Sequence, residues 1–206
     1  MRARQLSIPG ALVFTAPVYS DPRGTFTSPF LASAFAEAAG HPLFAPAQIS
    51  HSRSRRGVVR GVHYTATPPG MAKLVHCPQG RALDFIVDLR TGSPAFGRWE
   101  SVELDPASGR SAYLPVGVGH LFVALEDDTV MSYFLSREYV AENERAVAPF
   151  DPDLGLEIPP GHTQISERDR VAPSLGEAAR LGALPDYREC LVLEQSLHAG
   201  EGGRVR

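Results

Sequence analysis

The residues able to hold an anion or move a proton gather first in His51 to Thr65, HSRSRRGVVRGVHYT, where a basic run leads into a segment of strand composition that carries His63. Arginine guanidinium groups grip phosphate oxygens in bidentate fashion, and an imidazole exchanges a proton near neutral pH. Val58 to Thr65 has the valine and tyrosine content of a strand, with Gly57 in front of it. In a straight strand Val59, Gly61, His63 and Thr65 share one face and Arg60 the other. Arg60 and His63 can therefore serve one site only if the strand bulges, and Gly61 is where a bulge is cheapest. A histidine in a strand is ordinarily a packed or surface residue, so position alone does not make His63 a base.

Further along, Lys73, Asp84, His120, Tyr133 and Asp169 complete the candidates for acid–base chemistry. In Thr129 to Ser136 the alternation puts Met131, Tyr133 and Leu135 on one face, so Tyr133 is expected to point into the core. Asp84, between Leu83 and Phe85, shares its face with Ala82, Ile86 and Asp88. A carboxylate on a partly buried face needs a partner, and a histidine N–H is a common one. Both Asp84 and Asp169 remain open as the carboxylate that orients His63. Lys73 opens a short strand with Val75 on its side, where an inward ammonium would stabilise a developing oxyanion.

A catalytic metal is disfavoured by spacing. Metal-binding barrels commonly carry two histidines one residue apart plus a carboxylate, and His63-Tyr64-Thr65 lacks the second histidine. The seven histidines, at 41, 51, 63, 76, 120, 162 and 198, are scattered.

These residues must be positioned by a fold that 206 residues can build as one domain. From Gln48 to Leu135 short strand candidates, at 72–76, 81–89, 98–104, 111–114, 121–126 and 129–136, are separated by Pro-Gln-Gly, Thr-Gly-Ser-Pro, Asp-Pro and Glu-Asp-Asp turns. This is the pattern of an all-β sandwich or jelly roll and not of a βαβ protein. Residues 1–47 read as an N-terminal arm of short strands, with a turn at Asp21-Pro22-Arg23-Gly24 and a helix over 31–39 closed by Gly40. Residues 48–136 form the barrel core. Residues 137–192 wrap it as loops, with a short helix that Ser174 and Glu177 begin as a capping box, and 193–206 are a loose tail.

The formal net charge of −3 and sequence pI of about 6.2 make Arg53, Arg55, Arg56 and Arg60 a local patch on an acidic protein. That argues against nucleic acid and for a small anion such as a diphosphate. Cys77 and Cys190 have no ligand spacing, and no signal peptide or long apolar run is present. The expectation is a soluble, cytoplasmic protein with free thiols and no membrane partner.

Taken in order, HSRSRRGVVRGVHY, Lys73-Leu74-Val75, DFIVDLRTGSPAFGRW (84–99), LPVGVGH (114–120), Tyr133 with Tyr139, and ISERD (165–169) resemble the nucleotide-sugar 3,5-epimerase family that includes dTDP-4-dehydrorhamnose 3,5-epimerase. The resemblance implies a cupin-type jelly roll, without cofactor or metal, working as a homodimer on a dTDP-linked 4-keto-6-deoxyhexose. By position, His63 resembles the base, Asp169 its carboxylate partner, Lys73 the enolate stabiliser and Tyr133 the opposing acid. Arg23, Phe26, Gln48, Arg60, His120, Glu144 and Arg168 resemble substrate contacts, with Arg23 and Phe26 supplied by the neighbouring subunit, and Tyr139 resembles the residue that stacks on thymine.

The departures lie on the sugar side: Ser28, Ile49-Ser50, Thr65, Val116, Val118, Gly119 and Leu121 replace the usual residues of the rhamnose-pathway enzymes, while Gly117 and His120 keep theirs. HYTATPPGMAK and PVGVGHLFVALEDDTVMSY are similar to the antibiotic-pathway branch. The implied activity is inversion chiefly at C5 of a 4-keto-2,6-dideoxy or 6-deoxyhexose, with exchange at C3 alongside it. Strict 3,5-epimerisation, C3 epimerisation alone, a sugar-nucleotide-binding cupin without turnover, and a metal-dependent cupin oxygenase are the alternatives.

Overall fold

The computed structural model describes residues 1–198. Thirteen strands run β1 (Arg2–Gln5), β2 (Leu12–Thr15), β3 (Val18–Asp21), β4 (Gly24–Thr27), β5 (Gln48–Ser54), β6 (Val59–Thr65), β7 (Lys73–Gln79), β8 (Ala82–Asp88), β9 (Trp99–Leu104), β10 (Arg110–Leu114), β11 (Val118–Ala124), β12 (Thr129–Leu135) and β13 (Glu144–Ala146). Four helices accompany them: α1 (Ala32–Ala39), α2 (Glu167–Arg170), α3 (Leu175–Arg180) and α4 (Tyr187–His198). One sheet has the order β1-β2-β10-β7-β12-β5 and the other β13-β6-β11-β8-β9, with β3 and β4 as a separate hairpin. Every pairing between named strands is antiparallel, and the whole is the expected jelly roll.

Three apolar layers hold the sheets. Val75, Ala112 and Met131 of the six-stranded sheet meet Ile86, Leu104 and Phe122 of the five-stranded sheet in the central core. On the outer face of the five-stranded sheet, Tyr64, Phe85 and Leu121 are covered by Val147, Leu154, Leu175 and Leu184 from the C-terminal third. On the outer face of the other sheet, Phe14, Leu74 and Tyr113 are covered by Phe35, Phe44 and Cys190. A sheet buried on both faces needs apolar residues at successive positions, which is why β8 and β11 read as nearly continuous apolar runs.

A buried ion pair ties three of these parts together. Asp88 and Arg90, 0% and 1% exposed, form a two-pronged pair at 2.9 and 2.8 Å. Arg90 also donates to the Pro9 carbonyl at 3.0 Å and lies 4.9 Å from the Tyr187 ring centroid, while Ser93 Oγ donates to Asp88 at 2.6 Å. The end of β8, the N-terminal turn and the start of α4 thus share one charge cluster.

Helix α1 ends at Gly40 (φ 78°), and α3 begins with the full Ser174–Glu177 capping box, both as expected. Five features depart from the sequence reading. The basic run is largely strand, because β5 (QISHSRS) turns Gln48, Ser50 and Ser52 toward a polar cavity and so shows no apolar alternation. Strand β11 starts at Val118, three residues before the expected start, directly after the turn that Gly117 (φ 81°) completes. Helix α2 and strand β13 were not anticipated. The first part of the tail expected over 193–206 is helical to His198, since Asp186 Oδ1 accepts the Glu189 N–H at 3.0 Å and Cys190, Leu193 and Leu197 pack on the sheet; 199–206 lie outside the described residues. Both cysteines are free and buried, and burial pushes their thiols up, Cys77 to about 12 and Cys190 to about 11. Among the described residues no helix is long and apolar enough to cross a membrane.

Candidate active site

Between the open ends of the two sheets lies a cavity of about 310 Å³. Arg60 and His63 enter it from β6 and His120 from β11, on the five-stranded sheet. Gln48 comes from β5, Lys73 from β7 and Tyr133 from β12, on the six-stranded sheet. Glu144 of β13, Arg168 of α2 and Tyr139 close the margin.

The bulge at Gly61 brings Arg60 and His63 to one side. Opposite β11, His63 pairs with His120 but Arg60 pairs with Phe122, so the register slips between them. Gly61 has φ 131°, and a Cβ there would lie 2.6 Å from Leu121 Cα and closer still to the His120 carbonyl oxygen. Both the conformation and the close approach exclude a side chain. Gly61→Ala is expected to destabilise the fold by about 1–3 kcal/mol through backbone strain alone. A urea midpoint equal to that of the parent chain would show that the bulge relaxes freely.

His63 Nε2 lies 2.6 Å from Asp169 Oδ1, and His63 is partly exposed while Asp169 is buried. Asp169 sits in α2, whose N-cap Ser166 Oγ accepts the Asp169 backbone N–H at 3.1 Å. Burial works to raise the Asp169 carboxyl. The bond and charge of His63, with help from Ser166 and the Gly61 backbone N–H, outweigh that and hold it below the usual carboxylate range. Asp84 is not the partner of His63. It holds His120 instead, Nε2 to Oδ1 at 2.5 Å, with both residues buried. Two histidine–aspartate pairs therefore stand side by side, one directed by a helix and the other by strand β8.

Across the gap, the Tyr133 hydroxyl is 3.0 Å from Ser52 Oγ, and its ring stands edge-on to His120 with centroids 6.0 Å apart. Burial pushes the Tyr133 phenol well up, so it keeps its proton at neutral pH. Burial pushes the Lys73 ammonium down, partly offset by the negative charge of Glu144 and reinforced by Arg168. Such a lysine releases or shares its proton more readily than one in water. Glu144 accepts the Thr65 hydroxyl at 2.8 Å, Gln48 Oε1 accepts the Tyr139 N–H at 2.8 Å, and Arg60 donates to Ser54 Oγ at 3.1 Å.

Nine of the twelve expected residues line this cavity, and Asp169 stands directly behind His63. Arg23 and Phe26 do not reach it within one chain: they sit on the β3–β4 hairpin, with Arg23 paired to Asp21 and Phe26 69% exposed. Of the arginine run, only Arg60 faces the cavity, and Arg53 turns outward to Asp128 at 2.9 Å. Ser50, Ser52, Met71 and Phe122 also line it and were not anticipated. The alternate serines of β5 were the available signal, because a wet cavity selects small polar residues at every second position.

A carboxylate-paired histidine, a protonated tyrosine and a buried lysine around one polar cavity are groups able to take up, deliver and stabilise charge in a proton transfer. The family model for dTDP-4-dehydrorhamnose 3,5-epimerase matches residues 5–177. A dTDP-4-dehydrorhamnose 3,5-epimerase from Streptomyces griseus is 46% identical over 195 residues, covering 94% of this chain and 96% of its own. The solved structure of NovW, a 4-keto-6-deoxy sugar epimerase of Streptomyces spheroides, superimposes with a TM-score of 0.89 at 44% identity, covering 92% of this chain and 95% of that one. ChmJ, a 3'-monoepimerase of Streptomyces bikiniensis solved with dTDP-quinovose, gives 0.88 at 42% identity over 94% of this chain and 98% of its own. By both sequence and fold, this chain belongs to the dTDP-4-dehydrorhamnose 3,5-epimerase family of isomerases.

Proposed function

We propose that this protein epimerises a dTDP-linked 4-keto-6-deoxy or 2,6-dideoxyhexose, chiefly at C5 with exchange at C3, in deoxysugar biosynthesis for antibiotic glycosylation. The observation that carries this reading is the placement of His63 and Tyr133 on facing sheets across one cavity. A C4 ketone acidifies the neighbouring C–H bonds. His63 takes the proton while Asp169 holds its ring and favours the imidazolium, and the electron pair passes to the ketone oxygen as an enolate. Lys73 stabilises that oxyanion. Tyr133 then delivers a proton to the opposite face of the same carbon, which inverts it. A placed acid or base contributes about 10²–10⁴ in rate and one oxyanion donor about 10²–10³.

Arg60, Arg168 and Gln48 are read as contacts to the diphosphate and sugar, His120 and Glu144 as sugar contacts, and Tyr139 as the platform for thymine. Arg23 and Phe26 are exposed on a hairpin that stands apart from both large sheets, which suits a contribution to a second copy's cavity in a homodimer. The free-standing reading for cell location is cytoplasmic, in keeping with two free thiols.

Turnover of a dTDP-4-keto-6-deoxyhexose in D₂O, followed by NMR, tests the regiochemistry. Deuterium is expected at C5, with some at C3. Deuterium confined to C3 would establish the second reading, C3 epimerisation alone, which is favoured by the similarity to the monoepimerase ChmJ.

A further inference from the structure

On the far side of the six-stranded sheet from the cavity, the last turn of α4 meets the loop that follows α1. His41, Glu194 and His198 converge there, each offering a ligand atom, with all three atoms within 4.8 Å of one another. Glu194 and His198 are spaced i,i+4, so they project from one face of α4. Their side chains are 13% and 9% exposed. His198 is the unusual member: among the described residues neither of its ring nitrogens has a hydrogen-bond partner, although both are buried. Glu194 Oε1 lies 3.6 Å from His198 Nε2, beyond hydrogen-bond reach.

The other two residues are already held as metal ligands are held. His41 Nδ1 donates to the Pro42 carbonyl at 2.9 Å, which leaves Nε2 as the nitrogen with a free lone pair. Glu194 accepts the Val116 N–H at 2.7 Å on one oxygen and the Tyr113 hydroxyl on the other, so its carboxylate is fixed in place and charged groups are not needed to hold it. The His41 and His198 rings lie stacked with centroids 3.6 Å apart and planes 24° from parallel, and a small cavity of about 100 Å³ bordered by His41, Tyr113 and Glu194 opens beside them.

We propose that His41, Glu194 and His198 bind a divalent transition-metal ion of the zinc type, which clasps the end of α4 to the α1 loop. Two imidazole nitrogens and one carboxylate oxygen suit zinc and its neighbours and do not suit magnesium or calcium, which take oxygen ligands. Ligand atoms around a tetrahedral zinc are about 3.3–3.5 Å apart, and the stacked rings set their in-plane lone pairs side by side, so binding turns one imidazole out of the stack to bring both nitrogens onto the ion, with water completing the shell. The site departs from the expectation of a metal-free chain, but it lies outside the catalytic cavity and takes no part in the proton transfers.

The test uses untagged full-length protein freed of metal with a chelator, titrated with Zn²⁺ by calorimetry and with Co²⁺ by visible absorption. One equivalent of Zn²⁺ is expected, with a raised melting temperature and a cobalt d–d band, and no response to Mg²⁺. His41→Ala and His198→Ala are each expected to weaken zinc binding by about 100-fold or more while epimerisation continues. His198→Gln, which keeps the side-chain volume, guards against loss through misfolding. Zinc binding retained in the His41 and His198 variants, binding lost in His63→Ala instead, or no binding by the parent chain would each overturn the assignment.

Discussion

His63→Ala is expected to lower kcat by about 10²–10⁴-fold while leaving the affinity for dTDP close to that of the parent. The His63 side chain is partly exposed, but its partner Asp169 is buried, so the variant also loses some stability and is compared with the parent well below its melting temperature. What disappears is the group proposed to accept the proton. Asp169→Asn keeps the geometry but removes the charge that favours the imidazolium, and should also slow turnover. Because the two residues act as one unit, the double variant is expected to be no slower than His63→Ala alone. Turnover by NMR and dTDP binding by calorimetry make the measurement. An unchanged kcat would take the role of base away from His63, and absence of turnover in the parent chain itself would leave a nucleotide-sugar-binding protein.

Arg90→Ala is expected to be the most destabilising single substitution, at about 3–5 kcal/mol, because it leaves the Asp88 carboxylate buried without its cation. The loss spreads beyond the pair, since Arg90 also anchors the Pro9 carbonyl and packs on Tyr187. Replacing Asp88 and Arg90 together by apolar residues should cost much less, since no lone charge remains. Urea unfolding of the two single variants and the double variant separates these contributions. Equal losses in all three would mean that the cluster acts through shape and not through charge.

Local signals carried much of this fold. Gly40 and the Ser174–Glu177 box ended and began their helices as read, because caps are decided within four residues. The alternation of Met131, Tyr133 and Leu135 put the tyrosine on the inner face, and the demand for a bulge at Gly61 followed from Arg60 and His63 alone. Choices made over long separations were not legible. Asp169 reaches His63 across 106 positions, and Asp84 reaches His120 across 36, so no short window could assign either pair. Strand β5 was hidden for a different reason: its inner face lines a polar cavity, so it lacks the apolar rhythm by which strands are recognised. Helix α4 carried its own signal in Cys190, Leu193 and Leu197, but nearness to the chain end argued for fraying, and only the sheet beneath supplies the contacts that hold it.

If His63 on β6 is the base and Tyr133 on β12 the acid, as proposed, every inversion leaves one sheet a proton richer and the other a proton poorer. His63 then ends protonated and Tyr133 ends as a phenolate, a form that burial makes costly. The protein must then be recharged before it can turn over again, and the two charges cannot simply cancel through the product. Ser52, 3.0 Å from the phenolic oxygen on the neighbouring strand, is the first station by which a proton can return to Tyr133. Recharging then draws on solvent. The hydrogen that leaves a substrate molecule is not the one that reaches its product, and the label in the product records which carbons have been inverted.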